Sequence, residues 1–297
     1  MKPDPAVEVV LDAHATIGES PTWVAEEQAL YWIDVKRPAL YRFDPATGAN
    51  RGWPLTSDVG AFALMPGGAA LVALREGIYR LDLASGSLDL LAPPPFDPAL
   101  FRFNEGACDA AGRFWVGVMF DPVTGDPPPR PGRLHCFTLA EGLRPVDDVA
   151  ELHNGMAWSA DLNYFYLSHS YDREIIRCCF DNATGEIAAP QLFASIPSGD
   201  GIPDGAAIDA EGGYWCALHG GGRLRRFHAD GSHDCDIVLP VSQPTMCSFG
   251  GAALSDLYIT SAADKLSPEQ LSDEPLAGSI LKIKDQGKGQ PKPVNAR

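Results

Sequence analysis

The chain has 297 residues, of which 45% are hydrophobic, and it carries a formal net charge of -16. This charge repels polyanions, and no cluster of Lys and Arg occurs that could neutralise phosphates, so nucleic acids and anionic membranes are excluded as favoured partners. No apolar run approaches the roughly 18 to 20 residues of a membrane span, and the N-terminus lacks the apolar stretch of a signal peptide. We therefore expect a cytoplasmic protein with no nucleic-acid or membrane partner.

The seven cysteines show no paired CxxC spacing, and their odd number cannot pair completely within one chain. We interpret them as reduced thiols rather than as disulfides or zinc ligands. Cys178 and Cys179 are adjacent in a predicted strand, so their side chains should point to opposite faces of the sheet.

Short runs rich in β-branched and aromatic residues alternate with Gly, Pro, Asp and Asn, which predicts an all-β protein. One pattern recurs six times: a strand, a turn, a second strand and an Asp- and Gly-rich turn. Equivalent positions in the six copies lie 40, 43, 51, 49 and 43 residues apart: Tyr31, Leu71, Phe114, Phe165, Tyr214 and Leu257. Such spacing is typical of the four-stranded blades of a propeller.

Six repeats account for nearly the whole chain, so we predict a single domain over residues 1–297. The predicted fold is a six-bladed β-propeller with four-stranded blades around a central channel. Residues 7–11 belong to no repeat and are expected to pair with the last blade, which closes the ring and covers a sheet edge.

The innermost strand of each blade lines the channel, so equivalent positions in different repeats should meet at one level of the axis. Ten to twelve residues before the equivalent positions, four blades carry an oxygen-bearing side chain: Glu19, Asn104, Asn154 and Asp204. Carboxylate and amide oxygens are ligands for Ca²⁺, Mg²⁺ or Mn²⁺. A single Asn-Gly or Asp-Gly dipeptide is more typical of an ordinary turn, but four residues in phase favour a divalent metal in the channel.

The chain resembles the gluconolactonase and regucalcin (senescence marker protein) family of propeller lactonases over residues 18–284. The resemblance lies in these segments: Gly18-Glu19-Ser20-Pro21, Tyr31-Trp32-Ile33-Asp34, Arg102-Phe103-Asn104-Glu105-Gly106, Gly112-Arg113-Phe114-Trp115, Asn154-Gly155-Met156-Ala157-Trp158-Ser159, Pro203-Asp204-Gly205, Ser248-Phe249-Gly250-Gly251 and Pro275-Leu276-Ala277-Gly278.

The resemblance implies hydrolysis of a sugar lactone to its aldonic acid, with water attacking a carbonyl that one divalent ion polarises. It implies that Glu19, Asn154 and Asp204 bind this ion and that Asp204 also acts as general base. It further implies that Arg102 and Asn104 hold the sugar hydroxyls. Zn²⁺ and Fe²⁺ also accept such ligands, and a cation beside Asp204 would lower the pKa of its carboxyl group.

Three positions depart from the family pattern. Ser20 stands where Gly is usual, Asp121 stands where some members carry a substrate-contacting Glu, and His169 stands where an acidic residue is common. We predict Asp121 as a substrate-binding residue, although its side chain is one methylene shorter than Glu. For His169 a structural role is favoured over a role as base or ligand, and packing roles are favoured for His153 and Phe120.

Two other functions remain open. One is a metal-dependent esterase or organophosphate hydrolase that uses the same channel cation, and the other is a non-catalytic calcium-binding propeller. Arg102 and Asn104, as partners of a polyol, favour the lactonase. A strictosidine-synthase-like lyase shares the architecture but would make no use of the metal-ligand set, and a serine hydrolase is disfavoured because no Gly-x-Ser-x-Gly pentapeptide occurs. The sequence predicts no oligomeric state.

Overall fold

The chain forms six sheets of four antiparallel strands, and the first strands of neighbouring sheets contact one another around a central axis. The computed structural model describes Asp4 and residues 6–293. The predicted all-β, six-bladed propeller with four-stranded blades is confirmed.

The strands follow the chain from blade to blade. The N-terminal strand is β1 (Val7–Leu11), and blade 1 contains β2 (Gly18–Val24), β3 (Ala29–Asp34), β4 (Ala39–Asp44) and β5 (Ala49–Pro54). Blade 2 contains β6 (Val59–Met65), β7 (Ala69–Leu74), β8 (Gly77–Asp82) and β9 (Leu88–Ala92). Blade 3 contains β10 (Phe101–Cys108), β11 (Phe114–Phe120), β12 (Gly132–Thr138) and β13 (Gly142–Ala150).

The second half of the ring has the same order. Blade 4 contains β14 (His153–Trp158), β15 (Tyr164–His169), β16 (Glu174–Asp181) and β17 (Glu186–Ser195). Blade 5 contains β18 (Ile202–Ile208), β19 (Tyr214–His219), β20 (Arg223–Phe227) and β21 (His233–Val238). Blade 6 contains β22 (Pro244–Gly250), β23 (Asp256–Ser261), the short helix α1 (Pro268–Asp273) and β24 (Ile280–Ile283).

The N-terminal strand supplies the fourth strand of blade 6. β1 runs antiparallel to β24, with a register from Val7 opposite Ile283 to Leu11 opposite Ile280. The first and last strands are therefore hydrogen-bonded in one sheet, and the outer edge of β24 is paired rather than exposed.

Six hydrophobic clusters hold the blades together, and each draws its buried residues from two neighbouring blades. In the cluster between blades 3 and 4, for example, Trp115 and Phe165 are fully buried and their ring centroids lie 5.2 Å apart. Each blade is therefore packed against a neighbour on both sides. Because these interfaces are apolar, the polar groups are concentrated toward the axis and the outer surface.

Helix α1 lies in the connection between β23 and β24 and was not predicted from the sequence. It is short, but its N-terminus is stabilised by a capping box in which the Ser267 side chain accepts the Gln270 N–H and the Gln270 side chain accepts the Ser267 N–H. Among the residues that the structure describes, no helix is long and apolar enough to cross a membrane. All seven cysteines are unpaired, and Cys178 is buried while Cys179 is exposed, as strand alternation requires.

A buried aspartate precedes the second strand of blades 3 and 5 in the same structural setting. Asp109 accepts hydrogen bonds from the backbone of the following turn, from Arg113 Nε at 2.6 Å and from Trp115 Nε1 at 2.9 Å. Asp209 accepts the equivalent set, including Trp215 Nε1 at 2.9 Å. Each carboxylate therefore joins the turn, an arginine and the second strand of its blade.

We predict that Asp109→Ala lowers the free energy of unfolding by about 3 kcal/mol, because several buried donors lose their acceptor at once. Urea denaturation followed by intrinsic fluorescence measures the change. Asp126→Ala, in the exposed proline-rich loop, is the control and should leave the midpoint unchanged. Equal midpoints for the two variants would contradict the structural role of Asp109.

Candidate functional site

Each of the six inner strands is interrupted by a β-bulge near its start. The register shifts lie between Glu19 and Thr22, Val59 and Ala61, Phe103 and Gly106, Asn154 and Ala157, Pro203 and Ala206, and Pro244 and Met246. A bulge bends its strand and changes the direction of the neighbouring side chains. Because the inner strands contact one another around the axis, the bulges bring side chains from different blades to one level of the channel.

Hydrogen bonds join the predicted residues of blades 3 and 4 directly. Asn104 Nδ2 donates to Asn154 Oδ1 at 2.6 Å and to the His153 carbonyl at 3.1 Å. Arg102 Nη1 donates to Asn104 Oδ1 at 2.9 Å, and Asn154 Nδ2 donates to Ser170 Oγ at 3.0 Å. Three of the predicted site residues thus form one continuous hydrogen-bonded chain.

Glu105, which carries no predicted role, fixes the backbone next to Asn154. Its two carboxylate oxygens accept the N–H groups of Met156 at 2.7 Å and Gly155 at 2.9 Å. The side chain is only 2% exposed. Both oxygens are therefore committed to holding blade 4 against blade 3, and the position of Asn154 depends on them.

Gly155 lies where β14 approaches β18 and has a left-handed backbone, with φ of +63°. A Cβ atom at this position would clash with Tyr214 Oη and Ser168 Oγ and would lie 3.1 Å from the Asp204 carbonyl oxygen. Tyr214 Oη in turn donates to the Gly155 carbonyl at 2.7 Å. The Asn-Gly dipeptide is therefore part of a bulged strand rather than of a turn, and it brings blade 4 close to Asp204.

Three carboxylates are buried at the level of the bulges. Burial and repulsion by Glu105 raise the pKa of Glu19 to about 8, and burial raises the pKa of Glu105 to about 7. Burial and repulsion by Glu19 and Glu105 raise the pKa of Asp204 well above its ordinary value. The three groups thus lie within electrostatic range of one another in a region from which water is largely excluded.

The donor chemistry of this region fits a divalent cation. Among the residues that the structure describes, neither Glu19 nor Asp204 forms a direct ion pair, and Arg102 acts on both carboxylates only at longer range. Glu19 Oε2 accepts only the backbone N–H of Ser20, at 2.9 Å. Buried carboxylates without compensation are unfavourable, whereas two carboxylates and an amide oxygen are good ligands for a hard cation. The protein groups alone raise the pKa of Asp204. The lowered pKa expected from the sequence therefore requires a cation beside this carboxylate.

Asp121 lies beside Arg102, at the mouth of the channel formed by the N-terminal ends of the inner strands. Its Oδ2 atom accepts hydrogen bonds from Lys36 Nζ at 2.7 Å, Arg102 Nε at 2.9 Å and Arg75 Nη2 at 3.0 Å. Burial alone would raise the pKa of Asp121, but Arg102 and Lys36 lower it to about 2. Asp121 therefore remains charged and fixes the Arg102 guanidinium next to Asn104.

A second set of potential metal ligands contains Asp148, His153 and His169. Asp148 Oδ1 lies 2.9 Å from His153 Nε2 and 3.0 Å from His169 Nε2, and His153 Nδ1 is buried without a partner among the described residues. If Nε2 of His153 bound a metal, Nδ1 would carry the proton, and a metal-bound imidazole normally donates that proton to an acceptor. Because His153 Nδ1 has no such acceptor, the set fits a structural arrangement in which the Asp148 carboxylate is hydrogen-bonded to two histidines. A structural role is also the one favoured for His169 from the sequence.

The opposite end of the channel contains an apolar cavity of about 380 Å³. Its walls are formed by the C-terminal halves of the inner strands, including Met156, Ile208 and Phe249, and its outer side is covered by residues 290–293. Sugar hydroxyls need polar partners, which this cavity provides poorly. The polar donors lie on the Arg102 side of the channel.

Comparisons with known proteins agree with the sequence pattern. Residues 17–263 match the SMP-30/gluconolactonase/LRE-like region family. The 6-deoxy-6-sulfogluconolactonase of Pseudomonas putida is 37% identical over 284 residues, which cover 95% of this chain and 96% of that protein. Regucalcin of Oryctolagus cuniculus is 32% identical over 288 residues, which cover 96% of each chain.

The fold also has a close counterpart among solved structures. A calcium-binding regucalcin from Agrobacterium tumefaciens superimposes with a TM-score of 0.89 and 25% identity, covering 97% of this chain and 96% of that chain. The lactonase and regucalcin relatives agree with the family resemblance stated from the sequence, and the named lactonase agrees with the expected class of lactone-ester hydrolase.

We predict that Gly155→Ala is strongly destabilising, because a methyl group would meet Tyr214 and Ser168 and would also strain the left-handed backbone. Gly48→Ala is the matched control, since Gly48 has φ of +74° but no atom within 4 Å of an added Cβ. Chemical denaturation should show a loss of about 1 kcal/mol for Gly48→Ala and a clearly larger loss for Gly155→Ala. Similar losses would mean that the close approach of the blades does not constrain Gly155.

Proposed function

Because the chain belongs to the SMP-30/gluconolactonase/LRE-like family, we propose that it hydrolyses a sugar lactone to the corresponding aldonic acid at a divalent cation in the channel. The observation that carries the proposal is the buried set of Glu19, Asn154 and Asp204 beside Arg102 and Asn104. The first three supply oxygen ligands, and the last two supply hydrogen-bonding groups for a polyol. We treat the whole chain as the single domain that performs this reaction.

In this proposal Glu19, Asn154 and Asp204 hold the cation, which when bound supplies Lewis-acid polarisation of the lactone carbonyl. Asp204 accepts a proton from the water molecule whose oxygen attacks the carbonyl carbon. The bond between that carbon and the ring oxygen then breaks, the ring oxygen takes up the proton that Asp204 had accepted, and the product is a hydroxy acid. No covalent intermediate with a side chain is required.

Arg102 is well placed to orient the substrate. Its Nε and Nη1 atoms are held by Asp121, Asn104 and the Phe103 carbonyl, all at 2.9 Å. Among the described residues, Nη2 has no hydrogen-bond acceptor, so this donor is available to a sugar hydroxyl. Because the guanidinium is fixed on two sides, it loses little conformational freedom when substrate binds.

Two alternatives use the same site. The calcium-binding regucalcin that shares the fold supports a propeller that binds calcium without turnover, and an esterase or organophosphate hydrolase would use the cation on a less polar substrate. The fixed Arg102 and Asn104 pair favours a polyhydroxylated substrate over both. The cation is drawn from Ca²⁺, Mg²⁺, Mn²⁺, Zn²⁺ and Fe²⁺, all of which accept carboxylate oxygens.

Metal-stripped protein should have no activity above spontaneous hydrolysis, and adding back one cation at a time should restore it. Acid release is measured with glucono-, galactono-, xylono- and arabinonolactone and with a 6-sulfonated gluconolactone. Asp204→Asn should lower kcat by about 10² to 10³, because it removes both a metal ligand and the proton acceptor.

Asp126→Asn removes an equal charge from the exposed loop and should retain full activity. Turnover of aryl esters or phosphotriesters in place of lactones would favour the esterase. Cation binding without turnover of any substrate would favour the calcium-binding protein, and the lactonase proposal would then be wrong.

Arg102→Gln should raise KM for the lactone by about 10- to 100-fold and change kcat less, because a charged hydrogen bond to substrate is worth about 1.5 to 3 kcal/mol. Steady-state kinetics at saturating cation separates the two parameters. Arg80→Gln, in the outer part of blade 2 where the ion pairs are 3.9 Å long, should leave both parameters unchanged. An unaltered KM in Arg102→Gln would exclude Arg102 as a substrate contact.

A further inference from the structure

Three cations from blades 1, 2 and 3 share two carboxylates at the Arg102 end of the channel. Lys36 follows β3, Arg75 follows β7 and Arg102 lies in β10. Lys36 Nζ lies 2.7 Å from Asp121 Oδ2 and 2.9 Å from Asp58 Oδ2. Arg75 Nη2 lies 3.0 and 2.6 Å from the same two oxygens, and Arg102 Nε lies 2.9 Å from Asp121 Oδ2. We call these five residues the mouth cluster.

Arg75 gives the mouth cluster a fixed framework. Its side chain is only 8% exposed, and its Nη1 atom donates to three backbone carbonyls at 2.9 to 3.2 Å. Because these bonds and the two carboxylates occupy the guanidinium, Arg75 cannot turn toward a ligand. It instead holds Asp58 and Asp121 in place, and the two carboxylates in turn orient Lys36 and Arg102.

The mouth cluster carries one more positive charge than negative charges. Its three cations are balanced by two carboxylates within hydrogen-bonding distance. Glu76, which follows Arg75, and Glu151, in the connection between blades 3 and 4, are exposed to solvent. Among the described residues, neither glutamate forms an ion pair with the cluster, and water and salt screen such exposed charges.

The carboxylates deeper in the channel have other partners. Glu19 and Asp204 are the carboxylate ligands of the cation in the proposed function, whose two positive charges equal their two negative charges. Both oxygens of Glu105 accept N–H groups of blade 4. Arg102 acts on Glu19 and Asp204 only at longer range, and the other two cations of the mouth cluster contact none of the three carboxylates. The surplus positive charge therefore lies at the outer end of the channel.

Two donor positions of the mouth cluster have no acceptor among the described residues. A lysine ammonium group carries three N–H groups, and Lys36 uses two of them on Asp58 and Asp121. Arg102 Nη2 carries two N–H groups, whereas Nε and Nη1 of the same guanidinium are occupied. The Lys36 side chain is 28% exposed, so a ligand that enters from solvent can reach it.

An oxyanion fits these donors better than a sugar hydroxyl does. Lys36 Nζ and Arg102 Nε contact the same Asp121 oxygen, so the two cations lie side by side. A sulfonate, phosphate or carboxylate has several acceptor oxygens and can accept hydrogen bonds from both cations at once. Hydrogen bonds between ionised partners are also about twice as strong as those between neutral groups.

We propose that the mouth cluster binds an anionic group on the sugar lactone, so that the substrate is a lactone with a sulfonate, phosphate or carboxylate away from its reacting carbonyl. The inference rests on the proposed function, whose substrate class it names. Lys36 Nζ and Arg102 Nη2 contact the anionic group. Arg75 and the two aspartates are positioning residues, because they hold these two cations.

The order of contacts along the channel sets the orientation of the substrate. Arg102 Nη1 donates to Asn104, and Asn104 donates to the proposed metal ligand Asn154. The lactone carbonyl lies at the Asn154 end of this chain of contacts, and the anionic group lies at the other end. Lys36 therefore acts on the binding of the substrate rather than on the reacting atoms, and its loss should change KM more than kcat.

The test compares gluconolactone with gluconolactones that carry a sulfonate, a phosphate or a carboxylate at C6. Wild-type protein with saturating cation should prefer at least one charged lactone by about tenfold in kcat/KM, and 0.5 M NaCl should reduce this preference. Lys36→Met keeps the length of the side chain and removes the charge. It should raise KM for the preferred charged lactone by about 10- to 100-fold, as expected for losing a hydrogen bond to a charged group, and should change KM for gluconolactone much less.

Lys284→Met is the matched control, because Lys284 follows β24 and pairs with Glu8 of β1 at 2.8 Å. It removes the same charge from the protein and should leave the preference unchanged. Lys36→Arg keeps the charge and should retain most of the preference. If Lys36→Met does not fold, Lys36→Gln provides the same comparison.

Equal kcat/KM for neutral and charged lactones in the wild type, or an equal effect of Lys36→Met on both, would overturn the inference. If no lactone is hydrolysed with any cation, the proposed function is wrong, and binding of the open-chain acids then decides the inference. Titration calorimetry should show that C6-sulfonated or C6-phosphorylated gluconate binds more tightly than gluconate, and that Lys36→Met abolishes the difference. Equal binding of these acids, or no binding of any, would also overturn the inference.

Discussion

The bulges of the inner strands are the constraint on which the rest of the site depends. In a regular strand successive side chains point to opposite faces, so Asn104 and Glu105 could not both reach blade 4. The bulge in β10 allows Asn104 to contact Asn154 while Glu105 binds the N–H of Gly155. One neutral amide and one carboxylate thus act on the same neighbouring strand, which a flat sheet could not achieve.

Bringing these side chains together at the centre of the ring destabilises the folded protein. Burial raises the pKa values of Glu19, Glu105 and Asp204, and repulsion by neighbouring carboxylates adds to the rise for Glu19 and Asp204. Backbone strain is added beside them, because Ser20 has φ of +53°, in the left-handed region that favours Gly. Strain of about 1 to 2 kcal/mol of this kind is common at functional sites, and here the surrounding propeller must supply the stability that the centre lacks.

The outer parts of the propeller supply this stability. Apolar clusters fill every blade interface, and buried aspartates such as Asp109 and Asp209 tie turns to the second strands. The two ends of the channel then differ in character. The end near Arg102 presents a network of cations around Asp121, whereas the other end is apolar and is covered by the C-terminal segment.

The sequence by itself determined the fold, and it predicted the level of the channel at which the candidate site lies. Each blade must bury its own strands, so the repeat spacing counts the blades, and equivalent positions in a ring must meet near the axis. This is why Glu19, Asn104, Asn154 and Asp204 could be selected together, and the structure places them at the bulges.

The tertiary structure alone decided the contacts of Glu105 and of the Asp121 network, and it set Asp148 between two histidines. Glu105 follows Asn104 directly, and strand alternation would turn its side chain away without the bulge. Lys292 lies in no repeat, and it lines the apolar cavity only because the final segment is hydrogen-bonded to blades 5 and 6. The repeat spacing predicts which side chains lie at the same level of the channel. The contacts between blades depend on the bulges and on the path of the chain, which the repeat spacing does not encode.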